Sequence, residues 1–398
     1  MNPVQPESQG FSSQRLARAC TMIDAYVAAE KLAGVVSLVA RRGHVVHFHS
    51  SGMAVRETST PMREDTIFRI YSMTKPITST AVLMLMEEGR LRLADPIAAY
   101  IPEFKDAKVL DTSIDSGVRY STPVRPPTIR DLLTHTAGLS YGFDDGVYVD
   151  QLYQRHVWKF WNENPSEVSL EWLVKTIGAL PLANQPGAKF RYSMATDVLG
   201  GIVQVVSGQP FDHFLRERIF GPLEMVDTDF YVPASKLPRF AATYGPGEGG
   251  MALVDGVETS HYTHPALCPS GGGGLVSTTG DYLRFAQMLL NRGELDGVRL
   301  LGPKTVALMT TNHLAPGLHP FDDPAAGFGL GVSVLTELGQ SNVLGSVGNY
   351  GWGGAANTNF WIDPQEDLIG ILMLQYMPSD TYPVVSDFRN LVYQALLD

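Results

Sequence analysis

The sequence predicts an α/β fold in which strands from the two ends of the chain meet in one sheet, helices cover its faces, and a region richer in helices is inserted between. Three observations predict it. Runs of β-branched residues concentrate near both ends, turn residues split those runs into pairs, and the long middle carries helix-start signals instead of alternating strands.

Residues 13–32 place Leu16, Cys20, Ile23 and Val27 at helical spacing, and Gly34 ends the pattern. Residues 34–40 and 44–48 then read as a hairpin across Arg41-Arg42-Gly43. A second pair, residues 357–362 and 367–376, is split by Asp363-Pro364-Gln365-Glu366, and residues 383–397 form a closing helix. In the middle, Thr128-x-x-Asp131 and Thr278-x-x-Asp281 fit the capping box, in which a hydroxyl and a carboxylate satisfy free amide hydrogens. Residues 76–89 are apolar nearly all round, which predicts a buried helix, and the apolar segment 66–71 leads into it. The chain shows no internal repeat and no low-complexity linker.

A net charge of −11 with scattered lysine and arginine argues against a nucleic-acid partner, which would need a basic face for phosphates. Cys20 and Cys268 stand far apart and outside any Cys-x-x-Cys pair. They are expected to be buried free thiols in a reducing compartment, with no zinc site and no disulfide framework. Residues 1–10 are polar and lack the basic start and apolar run of a secretory signal. The longest apolar stretches, 34–40 and 368–374, are too short to span a bilayer. The expectation is a soluble, cytoplasmic protein with no membrane partner, no cofactor and no metal; nothing in the sequence specifies an oligomeric state.

Chemistry concentrates in three places. Ser72-Met73-Thr74-Lys75 sits where the extended segment enters the buried helix, and a spacing of three puts Ser72 and Lys75 on one face, a turn apart. A hydroxyl at a helix start lies in positive potential, and a lysine entering a buried helix must find a partner or lose its proton; together they can activate a serine. Taken alone, the same four residues also describe an N-capping serine beside a snorkelling lysine. Tyr192 lies in Phe190-Arg191-Tyr192-Ser193-Met194 after a Pro-Gly turn, where a satisfied core tyrosine is the ordinary alternative. Gly351-Trp352-Gly353-Gly354 precedes the last strand pair and is otherwise a tight bend in a sheet.

In order and separation these three segments resemble the active-site motifs of the serine β-lactamase and penicillin-binding protein superfamily. Flanking segments strengthen the match: Gly89-Arg90-Leu91-Arg92-Leu93-Ala94-Asp95-Pro96-Ile97, Tyr100-Ile101-Pro102-Glu103-Phe104 and Ile129 through Leu139 are similar to class C relatives. Within the group the chain most resembles the family VIII carboxylesterases. The resemblance implies a β-lactamase-like α+β sandwich with an antiparallel sheet. Residues 1–85 and 270–398 would form a discontinuous sheet domain, residues 86–269 a mostly helical one, and the active site would lie between them.

Two departures from the superfamily pattern bear on substrate. The second motif usually ends in asparagine, which helps hold a β-lactam's amide side chain, and here Met194 stands there. The third usually offers lysine or histidine to pair with a substrate carboxylate, and here Trp352 stands there with one donor and no charge. Both suit a neutral ester. The implied activity is a serine carboxylesterase acting on a small-molecule, short-chain ester, with weak cephalosporin hydrolysis at most. Ser72 is the implied nucleophile, Lys75 or Tyr192 takes its proton, and the amides of Ser72 and Ala355 hold the oxyanion; Trp352, Gly353, Gly354 and Met194 line the pocket. A β-lactamase or D-amino-acid peptidase of the same fold is the alternative activity. A catalytically dead binding protein is disfavoured by the intact Ser72, Lys75 and Tyr192.

Other patterns compete. Gly138-Leu139-Ser140-Tyr141-Gly142 matches the nucleophile elbow of α/β-hydrolases, but an elbow needs a strand before its serine, whereas a capped helix precedes Ser140. His261 and His264 lie in a predicted loop, and His44, His47 and His49 on a short strand. Ser270-Gly271-Gly272-Gly273-Gly274 lacks the Lys-Ser/Thr of a phosphate loop, so flexibility or close backbone approach is expected there.

Overall fold

Alternation of side chains along the terminal strands sets the architecture, seen in a computed structural model that describes residues 3–111 and 118–398. Its main sheet contains β1 (Gly34–Arg41), β2 (His44–Val55), β3 (Thr60–Pro61), β4 (Ala326–Phe328), β5 (Ser333–Leu335), β6 (Tyr350–Gly353), β7 (Asn359–Asp363) and β8 (Leu368–Leu374). They run in the order β4-β5-β6-β7-β8-β1-β2-β3, every neighbour antiparallel. The two ends of the sequence are joined where β1 pairs β8, with Val35 opposite Leu374 and Arg41 opposite Leu368.

A period of two divides these strands between two cores. Val35, Val39, Leu372 and Leu374 pack with Leu16, Ile23, Phe388 and Val392 beneath α1 (Ser13–Ala28) and the closing helix Val384–Tyr393. Val36, Leu38, Ile369 and Ile371 face the other way, into a core that continues through the buried helices α2 (Thr74–Glu87), α3 (Ala195–Ser207) and α4 (Thr279–Leu290). Because this second core is contiguous, residues of the inserted region and of the sheet share one interior. Gly370 is required in β8: a Cβ there would lie 2.2 Å from the Trp361 ring.

Several elements differ from expectation at their edges. Helix α1 ends at Ala28, before Glu30 turns the chain at φ +53°. Strand β2 runs on to Val55, long enough to pair with β3. Helix α2 starts two residues earlier than its apolar run, because the turn carrying Ser72 feeds directly into it. Thr128 and Asp131 form both halves of a capping box. At Thr278 only the hydroxyl half forms, since Asp281 is turned toward the Asp227 amide and the Thr228 hydroxyl. Among the described residues the inserted region also holds two antiparallel strand pairs, Val109–Asp111 with Arg119–Ser121 and Thr243–Gly247 with Gly250–Asp255. Cys20 and Cys268 are free, as expected, but partly exposed: Cys20 sits at an edge beside His47 and Cys268 on a cavity wall. Among the described residues no helix is long and apolar enough to cross a membrane.

Candidate active site

Strand Ile67–Arg69 pairs with Val276–Thr278, and the chain then turns sharply through Tyr71–Met73 into α2. Tyr71 takes a left-handed φ of +43°, which presents Ser72 at the head of the helix. One turn on, Lys75 is 1% exposed. A buried ammonium needs all its hydrogens satisfied, and here they are: Nζ donates to Ser72 Oγ at 3.0 Å, to the Tyr141 hydroxyl at 2.9 Å and to the Gly272 carbonyl at 2.6 Å. Ser72 Oγ also accepts from the Tyr192 hydroxyl at 2.7 Å. The same ammonium lies 4.7 Å from the centroid of the Tyr192 ring and 5.3 Å from that of Tyr141, within cation–π range of both.

Two of these partners come from segments whose patterns pointed to other roles. Tyr141 follows Ser140 in the Gly-x-Ser-x-Gly match. Gly272 lies in the glycine run, and its amide donates to Asp197 Oδ1 at 3.1 Å while its carbonyl faces Lys75. A Cβ on Gly272 would come 2.4 Å from Asp197 Oδ2 and 3.0 Å from the Tyr141 oxygen, so close backbone approach is the reason for glycine here. Asp197, in the first turn of α3, also accepts from Ser270 Oγ at 2.5 Å. Burial raises its carboxyl, opposed by the Ser270 hydrogen bond and by Lys75.

Among the described residues, the surroundings of Ser72 leave Lys75 as the cation at this point. His135 is fully buried beneath the Tyr192 ring, with centroids 4.8 Å apart; burial, and then Lys75, hold its imidazole well below the ordinary range, so it is neutral. Burial, Tyr192 and Asp197 push the Tyr141 phenol well up, so Tyr141 remains protonated and supplies Lys75 with a neutral acceptor.

Ser140 is not a nucleophile in this geometry. It is 2% exposed, and its hydroxyl donates to Asp150 Oδ1 at 2.5 Å. Arg191 reaches the same pair, Nη2 to Asp150 at 2.5 Å and Nε to Ser140 at 3.2 Å. This buried clamp joins the residue before Tyr141 to the residue before Tyr192.

The third segment closes the site from the sheet. At the end of β6, a Cβ on Gly354 would meet the Ile70 carbonyl at 2.4 Å, so the strand end lies directly against the Ser72 turn. Thr358 Oγ1 donates to the same carbonyl at 3.2 Å. Trp352 packs 5.7 Å from Tyr192, and Met194, 2% exposed, forms apolar wall at the start of α3. Ser72, Tyr192, Met194, Trp352, Gly353, Gly354 and Ala355 all line one cavity of about 1060 Å³. Four of the histidines weighed in the sequence have other surroundings: His44 is exposed on β2, His47 bonds Ser37, His49 pairs with Asp24, and His264 is in a loop. His261 lines the cavity without touching the lysine network.

Residues 21–394 match the Beta-lactamase family. The chain belongs to that family. It is 39% identical over 356 residues to Protein Rv1367c of Mycobacterium tuberculosis, covering 87% of this chain and 86% of that protein. It is 31% identical over 363 residues to Esterase EstB of Burkholderia gladioli, covering 87% of each. Its fold superposes on that of EstCE1, described as a hydrolase with promiscuous acyltransferase activity, with a TM-score of 0.80 and 26% identity over 96% of this chain and 99% of that one. These likenesses put it in the esterase branch of the superfamily, with the family VIII carboxylesterases, whose β-lactamase-like fold it shares.

Proposed function

We propose that this family member is a serine carboxylesterase that works through an acyl-enzyme on Ser72. The observation that carries the reading is the chain Lys75–Ser72–Tyr192, two hydrogen bonds of 3.0 and 2.7 Å converging on one hydroxyl at the wall of a large cavity. Ser72 Oγ attacks the ester carbonyl while Tyr192, reacting as its phenolate beside the Lys75 ammonium, takes the Ser72 proton across the same 2.7 Å contact and becomes the phenol. Lys75, with three hydrogens donated, has no lone pair to receive it; its charge instead favours negative charge on the Ser72 and Tyr192 oxygens. The tetrahedral oxyanion is held by the Ser72 and Ala355 amides, a role supported by the seating of the β6 end against the Ser72 turn. Collapse expels the alcohol, which takes the proton back from Tyr192. Water then attacks the acyl-enzyme by the same route and releases the acid.

Trp352 and Met194, in place of groups that would grip a β-lactam's carboxylate and amide, support ester over lactam, with cephalosporins as weak substrates. Short-chain esters such as p-nitrophenyl butyrate are the expected probes. A second reading, transfer of the acyl group to an alcohol in place of water, is favoured by the likeness to EstCE1 and uses the same acyl-enzyme.

Ser72→Ala should abolish turnover of p-nitrophenyl butyrate, and a serine-reactive phosphonate should label Ser72 in the native enzyme. Labelling of Ser140 would overturn the assignment, and a higher kcat/KM for nitrocefin than for the butyrate would overturn the substrate class.

A further inference from the structure

Resting on the esterase reading, we propose that the site is built for esters carrying a large, uncharged aromatic ring system, gripped at the cavity mouth between Phe143 and Phe321. Small acyl esters would then be turned over while filling only part of the space.

Volume is the first argument. The cavity, about 1060 Å³, stands at the upper end of the roughly 300–1,000 Å³ that small-ligand sites occupy. Its wall beyond the reacting groups is aromatic, with Trp158, Trp161, Phe230, Tyr262 and Trp352 among the lining residues. Flat rings offer broad apolar contact and favour other flat rings by offset or edge-on stacking.

The second argument is the mouth. Phe143 and Phe321 both line the cavity and yet are 72% and 63% exposed. Each lies on a ring of the site, and Phe321 also meets the Phe190 ring edge-on at 5.5 Å. Phe143 stacks on Tyr141 at 4.8 Å with planes 4° apart; Phe321 lies over Trp352 at 6.1 Å and 24°, and 5.5 Å from Tyr192. Phe321 and Asp322 adopt consecutive left-handed conformations, φ +54° and +58°, which side-chain-bearing residues rarely take. Backbone strain that holds an apolar ring in water, against the groups around Ser72, is accounted for by a substrate that covers the ring.

The third argument is charge. Among the residues lining the cavity there is neither lysine nor arginine; the acidic ones are Asp197 and Asp380. Lys75 lies behind the wall with its three hydrogens committed. A substrate carboxylate would be desolvated with no cation to receive it, so a neutral group is selected.

The test compares kcat/KM of the wild-type enzyme for three p-nitrophenyl esters: butyrate, 3-(2-naphthyl)propanoate and the glutarate monoester, a carboxylate of near-butyrate size. The naphthyl ester should exceed butyrate about tenfold, through KM more than kcat, and the glutarate should fall about tenfold below it. Phe321→Ala, at an exposed position, should reduce the naphthyl-to-butyrate ratio by about fivefold. Equal or lower activity on the naphthyl ester, efficient hydrolysis of the glutarate, or an unmoved ratio in Phe321→Ala would each overturn the proposal. With butyrate turned over and Ser72 labelled by phosphonate, such a failure falls on this inference alone; no turnover of any ester and no label on Ser72 would overturn the esterase reading with it.

Discussion

Asp150→Ala removes the centre of the clamp that ties the Tyr141 and Tyr192 segments together, and it separates positioning from stability. In the native chain the Asp150 carboxylate accepts from Ser140 Oγ, Arg191 Nη2 and the Asp144 amide at 2.5, 2.5 and 2.9 Å. The Asp150 side chain is 3% exposed and that of Arg191 24%. Arg191 can recover part of its hydration once released, so the loss falls below the roughly 3–5 kcal/mol of a fully buried broken pair, at about 2–3 kcal/mol. Unfolding entropy of about 2.1 cal/mol/K per residue over 398 residues is roughly 0.8 kcal/mol/K, so Tm should drop by about 3 °C. The effect on turnover should be larger than that modest shift suggests. Tyr192 must stay within hydrogen-bond reach of Ser72, and a displacement near 1 Å costs up to about a hundredfold. The assay is kcat and KM for p-nitrophenyl butyrate well below Tm, alongside differential scanning fluorimetry. The expected result is a kcat at least about tenfold lower with a nearly native Tm. A Tm drop with native kcat would show that the clamp only stabilises, and unchanged values for both would show that it does neither.

Two further outcomes follow from the same geometry. Tyr141→Phe removes one of the three acceptors of the Lys75 ammonium and should lower kcat by about ten- to a hundredfold with KM little changed, measured on p-nitrophenyl butyrate with circular dichroism as the folding control; near-native kcat would remove Tyr141 from the network. Burial, then the neighbouring His49, lowers the His47 pKa to about 4 from an ordinary 6.5, so between those values the unfolded chain holds a proton that the folded chain refuses; stability should fall by about 3 kcal/mol as pH drops through that window, urea midpoints at pH 7 and 4.5 should show it, and an unchanged dependence in His47→Gln would refute it.

The fold was legible wherever an element carries enough apolar residues to fill a core on one face or on both. The terminal strands alternate or are apolar throughout, and the hairpin turns lie between them in sequence, so a local reading found β1, β2, β7 and β8 together with the helices that cover them. Strand ends were less legible, because they depend on partners far away: β2 continues to Val55 to meet β3, which is only two residues long, Thr60–Pro61, and has no periodicity of its own. The reciprocal half of the box at Thr278 failed for a similar reason. Asp281 had the right spacing, but the Asp227 amide and the Thr228 hydroxyl, brought near by the fold, took its carboxylate.

The candidate site divides along the same line. Ser72 and Lys75 share one helical turn, so their contact follows from spacing. Tyr192 and Trp352 could be found through the resemblance of whole segments. Tyr141 and Gly272 meet Lys75 across 66 and 197 positions of sequence, and neither position follows from a local pattern. Each nevertheless sat inside a segment that looked functional for another reason. The Gly-x-Ser-x-Gly match drew attention to Ser140, whereas the fold buries that serine in an ion-pair clamp and gives the lysine contact to the tyrosine beside it. The glycine run resembled an incomplete phosphate loop, whereas its glycines let the main chain pass between Asp197 and Tyr141 and offer a carbonyl to an ammonium. In both cases the pattern marked a constrained segment and the catalytic or phosphate-binding role was rightly set aside, but the contact with Lys75 was not legible because that ammonium approaches from a distant helix. A buried lysine therefore carries more information than its motif: three donors must end on three acceptors, and tracing those acceptors in the folded chain recovers the residues that local sequence patterns leave out.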